Sequence, residues 1–126
     1  MDKLGSLQAG ELTIDPQQTD PSQPIDLFWR GRSNDRHPAR VVVPYVSTIL
    51  AAAKGQDVPV RLHFETIEHM NSSTITALIQ IIQEARARST RLTIVYDRSK
   101  TWQKLSFDAL GVFVKDDGII VLDGEP

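Results

Sequence analysis

The sequence predicts a single α/β domain built on a mixed sheet, with helices packed mainly on one face. Three observations carry this. Several segments alternate apolar and polar residues with a period of two. Segments with apolar residues at helical spacing lie between them. The alternate strand residues are mostly polar, so one sheet face is expected to stay open. A chain of 126 residues has the length of one domain and can bury roughly two thirds of its unfolded surface. One domain over residues 1–126 is expected, with residues 1–10 as a flexible lead-in.

Composition excludes broad classes. The 14 Lys and Arg nearly balance the 16 Asp and Glu, so no chain-wide attraction draws the protein to nucleic acid or anionic membrane. Cysteine is absent, which removes disulfides, thiol nucleophiles and thiolate metal sites together. No uncharged apolar run approaches the roughly 20 residues of a membrane helix. The opening MDKLGSLQAG lacks the apolar core of a signal peptide. A soluble, cytoplasmic protein is the expectation.

The elements follow in order. Glu11 to Ile14 predicts a short strand, and Asp15 to Pro24, with three prolines among polar residues, predicts a turn or extended loop. Ile25, Leu27 and Trp29 alternate with Asp26, Phe28 and Arg30 as a second strand ending at Gly31. The polar run RGRSNDRHP reads as loop. Proline is accepted in the first turn of a helix and not in its interior, so a helix is expected from near Pro44 to Lys54, with Gly55 as its stop. Val46, Ile49, Leu50 and Ala53 share its buried face. Val58, Val60, Leu62 and Phe64 alternate with Pro59, Arg61, His63 and Glu65, the pattern of a strand buried on one side.

A central helix from Ser72 to about Arg88 aligns Ile75, Leu78, Ile79, Ile82 and Ala85, with Thr76, Gln80, Gln83 and Glu84 mostly opposite. Leu92, Ile94 and Tyr96 alternate with Thr93 and Val95 in a further strand. Thr101 to Leu110 fits a short helix in which Trp102, Leu105 and Ala109 align, with Trp102 assigned to the core. A last strand, Ile119 to Leu122, follows the turn signal Asp117 Gly118. Strands joined through helices are expected to be parallel.

The functional signal lies in His63 to Gln83, where an extended segment leads into a cluster of three hydroxyls and then a strongly periodic helix. Asn71 suits the N-cap, and Met70 and Ile75 occupy the positions of a hydrophobic staple. Ser72, Ser73 and Thr74 then fall in the first turn, where backbone N–H groups have no helical partner. No Asp or Glu lies between Ser72 and Thr76 to complement the positive end of the helix dipole. A phosphoryl group would supply that charge; the alternative is that these residues simply cap the helix.

The run Asn71 Ser72 Ser73 Thr74, after a strand and at the start of a helix, resembles the junction of STAS domains, the fold of anti-sigma factor antagonists. In that family a strand ends in Asp-Ser-Ser-Gly, and a partner kinase phosphorylates one of the serines. Asn71 and Thr74 replace the Asp and Gly here. The chain is more similar to a divergent STAS-like branch, the SiaC-type partner-switch regulators, through Gly31 Arg32 Ser33 and Glu68 His69 Met70 Asn71. The resemblance implies a non-enzymatic switch protein with Ser72 as phosphoacceptor, Ser73 and Thr74 as secondary acceptors, and Asn71 holding the loop. It implies Asn71 to Thr74, with Arg32 and Ser33, as the partner-binding surface. The implied partners are a serine/threonine kinase of the histidine-kinase-like ATPase type, a metal-dependent serine/threonine phosphatase and a downstream effector protein. No cofactor is implied.

Other constellations compete. Ser72 with His69 suggests a nucleophile and base, hence a small hydrolase or ligand-binding domain, yet the nucleophile elbow Gly-x-Ser-x-Gly is missing and the sequence assigns no orienting carboxylate. His63, Glu65, Glu68 and His69 form a conceivable metal set, more simply read as surface chemistry on a half-buried strand. Arg30, Arg32, Arg36, His37 and Arg40 form the one basic cluster, able to hold a phosphate, a nucleotide or an acidic partner, or to be a solvated loop. A nucleic-acid surface would need more interleaved aromatics than Phe28 and Trp29. Phe107 falls off the Trp102 stripe and is expected either at a partner surface or covering the sheet edge. A structural dimer module burying the open sheet face is a third class.

Overall fold

The computed structural model describes residues 4–125. Its strands are β1 (Leu7–Ala9), β2 (Leu12–Gln17), β3 (Ile25–Ser33), β4 (Val60–His63), β5 (Ile67–Met70), β6 (Leu92–Asp97) and β7 (Ile120–Glu125). Its helices are α1 (Val42–Gln56), α2 (Ser72–Ala87) and α3 (Thr101–Asp108), with 3-10 turns at Pro38–Arg40 and Ala109–Phe113. The strands form one mixed sheet in the order β1-β2-β3-β4-β6-β7, with β5 added to β3 beyond the end of β4. β1, β2 and β3 pair antiparallel, and β3, β4, β6 and β7 pair parallel. The expected α/β architecture and its parallel crossovers are present.

Alternation in the strands becomes rows across the sheet. Ile25, Val60, Leu92 and Ile120 are in register, as are Leu27, Leu62, Ile94 and Leu122. These rows, with Trp29, Phe64 and Tyr96, meet Val46, Ile49, Leu50 and Ala53 of α1, Leu78, Ile81, Ile82 and Ala85 of α2, and Phe107 and Leu110 in a single core. Fully burying each Val, Leu or Ile contributes about 1.5–3 kcal/mol relative to leaving it exposed. The intervening residues Asp26, Phe28, Arg30, Arg61 and His63 lie on the other sheet face and are half-buried or exposed. There Phe28 stacks on His63 at 4.4 Å between centroids.

Several boundaries differ from the sequence reading. The lead-in expected over residues 1–10 forms β1 from Leu7 onward, and residues 1–3 lie outside the described ones. β2 continues through Pro16, which pairs with Leu27 beyond the reach of β1. Proline is accepted there because that stretch has a strand neighbour on one side only. β3 runs past Gly31 to Ser33 through a bulge at Gly31 and Arg32. Gly31 has φ +87°, and a Cβ there would lie 2.0 Å from the Glu11 carbonyl oxygen, so only glycine fits. α1 starts at Val42 and passes through Gly55, ending instead on left-handed Asp57.

The expected strand over 58–64 narrows to Val60–His63, and after a turn over Glu65 and Thr66 the chain resumes as β5. Phe64 N–H makes the last bond to β6, at 2.8 Å from the Val95 carbonyl oxygen. Carbonyls of the turn are met by α3 and its N-cap: Gln103 Nε2 donates to Phe64 O at 2.8 Å, which also accepts the Ile67 N–H at 3.1 Å, and to Ile67 O at 3.3 Å, and Lys100 Nζ donates to Glu65 O at 2.5 Å. Gln103 also accepts the Asp97 N–H at 2.8 Å. These bonds orient α3 with Gln103 and Phe107 inward, so the aligned Trp102, Leu105 and Ala109 do not form its core face. Leu105 and Ala109 are exposed and Trp102 is half-buried.

Candidate functional site

The bulge in β3 and the turn between β4 and β5 lie side by side, and together they carry Ser33 and Asn71 to the same end of the sheet. Asn71 N–H donates to the Ser33 carbonyl at 3.0 Å. Asn71 then has extended backbone and caps α2, its Oδ1 accepting the Thr74 N–H at 2.9 Å. Its Nδ2 donates to the Asp35 carbonyl at 2.7 Å, tethering the loop after β3 to the head of α2. One side chain thus does both jobs expected of it, capping and loop holding. Asp35 was invisible in sequence because its contribution is a backbone carbonyl, which every residue type carries.

The three hydroxyls separate. Ser72 is exposed at the first position of α2, and Ser73 is half-buried. Thr74 is fully buried, its Oγ1 2.6 Å from Ser33 Oγ and 2.8 Å from Asn71 Oδ1. As a secondary acceptor or partner contact Thr74 is therefore corrected: a kinase cannot reach it without opening the helix start. Ser33, 2 % exposed, is corrected likewise from partner residue to internal strut. Arg32 keeps an exposed side chain, 3.9 Å from Glu11. Met70 is buried and Ile75 packs partly against the same core, as a staple requires.

Phe107 is also corrected. It is fully buried, with Phe64 at 5.0 Å and Tyr96 at 5.1 Å between ring centroids, and offers no surface to a partner. The basic cluster divides. Arg30 sits on the open sheet face, paired with Asp15 at 2.5 Å and lying over the Phe28 ring. Arg36, His37 and Arg40 are exposed on the loop tethered to Asn71 and on the 3-10 turn that packs against α2. The first turn of α2 contains no acidic residue.

No hydrogen bond among the described residues joins Ser72 to His69; His69 lies in register with Arg32 on β5. His63 Nε2 is 2.7 Å from Asp26 Oδ1 and its Nδ1 3.5 Å from Glu65, while Arg61 holds Asp26 through two bonds of 2.6 and 2.9 Å. Burial pushes the Asp26 carboxyl up, but the hydrogen bonds from Arg61 and His63 outweigh it and leave the group below its ordinary value. Among the described residues no group of three or more His, Asp or Glu is placed to hold a metal ion. No described helix is long and apolar enough to cross a membrane. The chain matches no protein-family model and no curated protein.

Proposed function

We propose that this protein is a non-enzymatic phospho-switch of a bacterial partner-switching system, acting in the cytoplasm and reversibly phosphorylated on Ser72. One observation carries the reading: Ser72 is exposed at the first position of a long helix, beside a capping Asn71 that also pins a cation-bearing loop. The resemblance to STAS domains and the SiaC-type regulators points the same way. Its implied partners are a histidine-kinase-like ATPase, a metal-dependent serine/threonine phosphatase and an effector bound in one phosphorylation state. Ser73, half-buried, is the secondary acceptor.

The chemistry is electrostatic. A phosphoserine carries nearly two negative charges, which the unpaired N–H groups and dipole of α2 accommodate, so the fold need not change. In a packed protein interface the same group must lose water without gaining matched partners. Mispaired interface charge typically costs about 2–5 kcal/mol, or tens to thousands of fold in affinity. That range converts one phosphorylation into release of a partner.

The test is phosphopeptide mapping after incubation with candidate serine/threonine kinases of the histidine-kinase-like ATPase type, together with partner pull-downs of Ser72→Ala and Ser72→Asp. Phosphate on Ser72 and opposite binding by the two variants are expected. Equal binding of every candidate partner by both variants, or phosphate confined to other residues, refutes the reading.

A further inference from the structure

α3 and the 3-10 turn that continues it carry two apolar stripes, and the fold leaves one of them in solvent. Phe107 and Leu110 are buried, together with the polar Gln103. On the opposite side Leu105 is 68 % and Val112 80 % exposed, the two most exposed large apolar side chains among the described residues. Ala109 is exposed between them, and Trp102 stands half-buried at the head of the same row. Gln103 holds this orientation through its bonds to Asp97 N, Phe64 O and Ile67 O. A polar residue is therefore kept inside while an apolar row is held outside, the reverse of what burial alone favours.

We propose that this row is a self-association surface, on which α3 of a second copy packs antiparallel about a twofold axis. Two features select a second copy. Reversed against itself, the row sets Trp102 opposite Val112 and Leu105 opposite Ala109, larger side chains meeting smaller ones along its length. The charges beside the row reverse as well. In that register Lys104 and Asp108, one turn apart and joined at 3.1 Å, lie two residues, roughly 3 Å along the axis, from direct apposition with the opposite charge of the mate, within the reach of the lysine side chain, so the rim attracts its own copy. A twofold contact needs only such a self-matching patch. Its extent, one short helix and one turn, is small beside the roughly 1,200 Å² of a standard stable interface, so the dimer is weak and concentration-dependent. The proposal stands independently of the phospho-switch.

Sedimentation equilibrium of the full chain from ~5 to ~500 µM tests it. A reversible monomer–dimer equilibrium is expected, with Leu105→Glu and Val112→Glu each raising Kd by at least about tenfold while circular dichroism stays native. Lys104→Glu alone weakens the dimer, and Lys104→Glu combined with Asp108→Lys restores it, with native circular dichroism required of the double variant because Asp108 also accepts the Tyr96 hydroxyl at 2.5 Å. A wild-type chain that stays monomeric to the highest concentration overturns the proposal. So does a dimer that both glutamate variants leave intact, or one that a natively folded charge-swap variant fails to restore.

Discussion

The hydroxyls of Ser33 and Thr74 lie 2.6 Å apart in the interior, joining the end of β3 to the first turn of α2. Thr74→Val keeps the side chain's shape and strands a buried serine hydroxyl, a loss of about 1–3 kcal/mol. Urea denaturation measures it. Ser33→Ala with Thr74→Val should cost less than the sum of the two single changes, because the double variant leaves neither partner alone. Ser72→Ala should stay within about 0.5 kcal/mol of wild type, as befits an exposed side chain.

Gly31 answers to the carbonyl of Glu11. Its φ of +87° and the 2.0 Å approach that a Cβ would make leave no room for alanine. Gly31→Ala should cost about 1–3 kcal/mol from the backbone conformation alone, with the clash adding to it. Faster amide exchange in residues 31–37 would accompany the loss, since the loop tethered to Asn71 begins at this bulge. Unchanged stability would show that β3 reaches Ser33 without the bulge.

Gln103→Leu is a volume-conserving change that ought to suit a core. Here it removes the partner of Asp97 N–H and of the Ile67 carbonyl, and one of the two donors to the Phe64 carbonyl, which keeps the Ile67 N–H at 3.1 Å. A loss of at least about 2 kcal/mol is expected in urea denaturation. Equal or higher stability would mean that α3 is seated by its apolar contacts alone.

The Asp26 carboxyl, held below its ordinary value of 3.8 chiefly by Arg61 against the effect of burial, links stability to acid. A group depressed in the folded state contributes stability that is complete above its unfolded value and is lost as pH falls through the folded one. Asp26→Asn should therefore cost about 1 kcal/mol at neutral pH. The gap to wild type should close as pH drops below about 4. Urea midpoints at neutral and acid pH measure both, and a constant gap would remove Asp26 from the linkage.

Much of the site was legible before folding. Asn71 as cap and the strand-to-helix junction follow from local rules, because a cap acts on residues two or three positions away. The hydroxyl cluster could not be sorted. Ser72 and Thr74 are two positions apart on one helix, and the buried Thr74 bonds to Ser33, 41 residues distant.

The amino-acid order by itself determined the α/β class, the parallel crossovers, one open sheet face and the principal helix and strand segments, because alternation and helical spacing encode which side of each element is apolar. Tertiary structure alone decided the β4–β5 break, the strand pairing of Leu7–Ala9, the division of the basic cluster and the seating of α3. Periodicity shows that a stripe exists without saying which stripe turns inward. For α3 that choice fell to a glutamine bonded to three backbone groups, whose positions are set by strands far away in the chain.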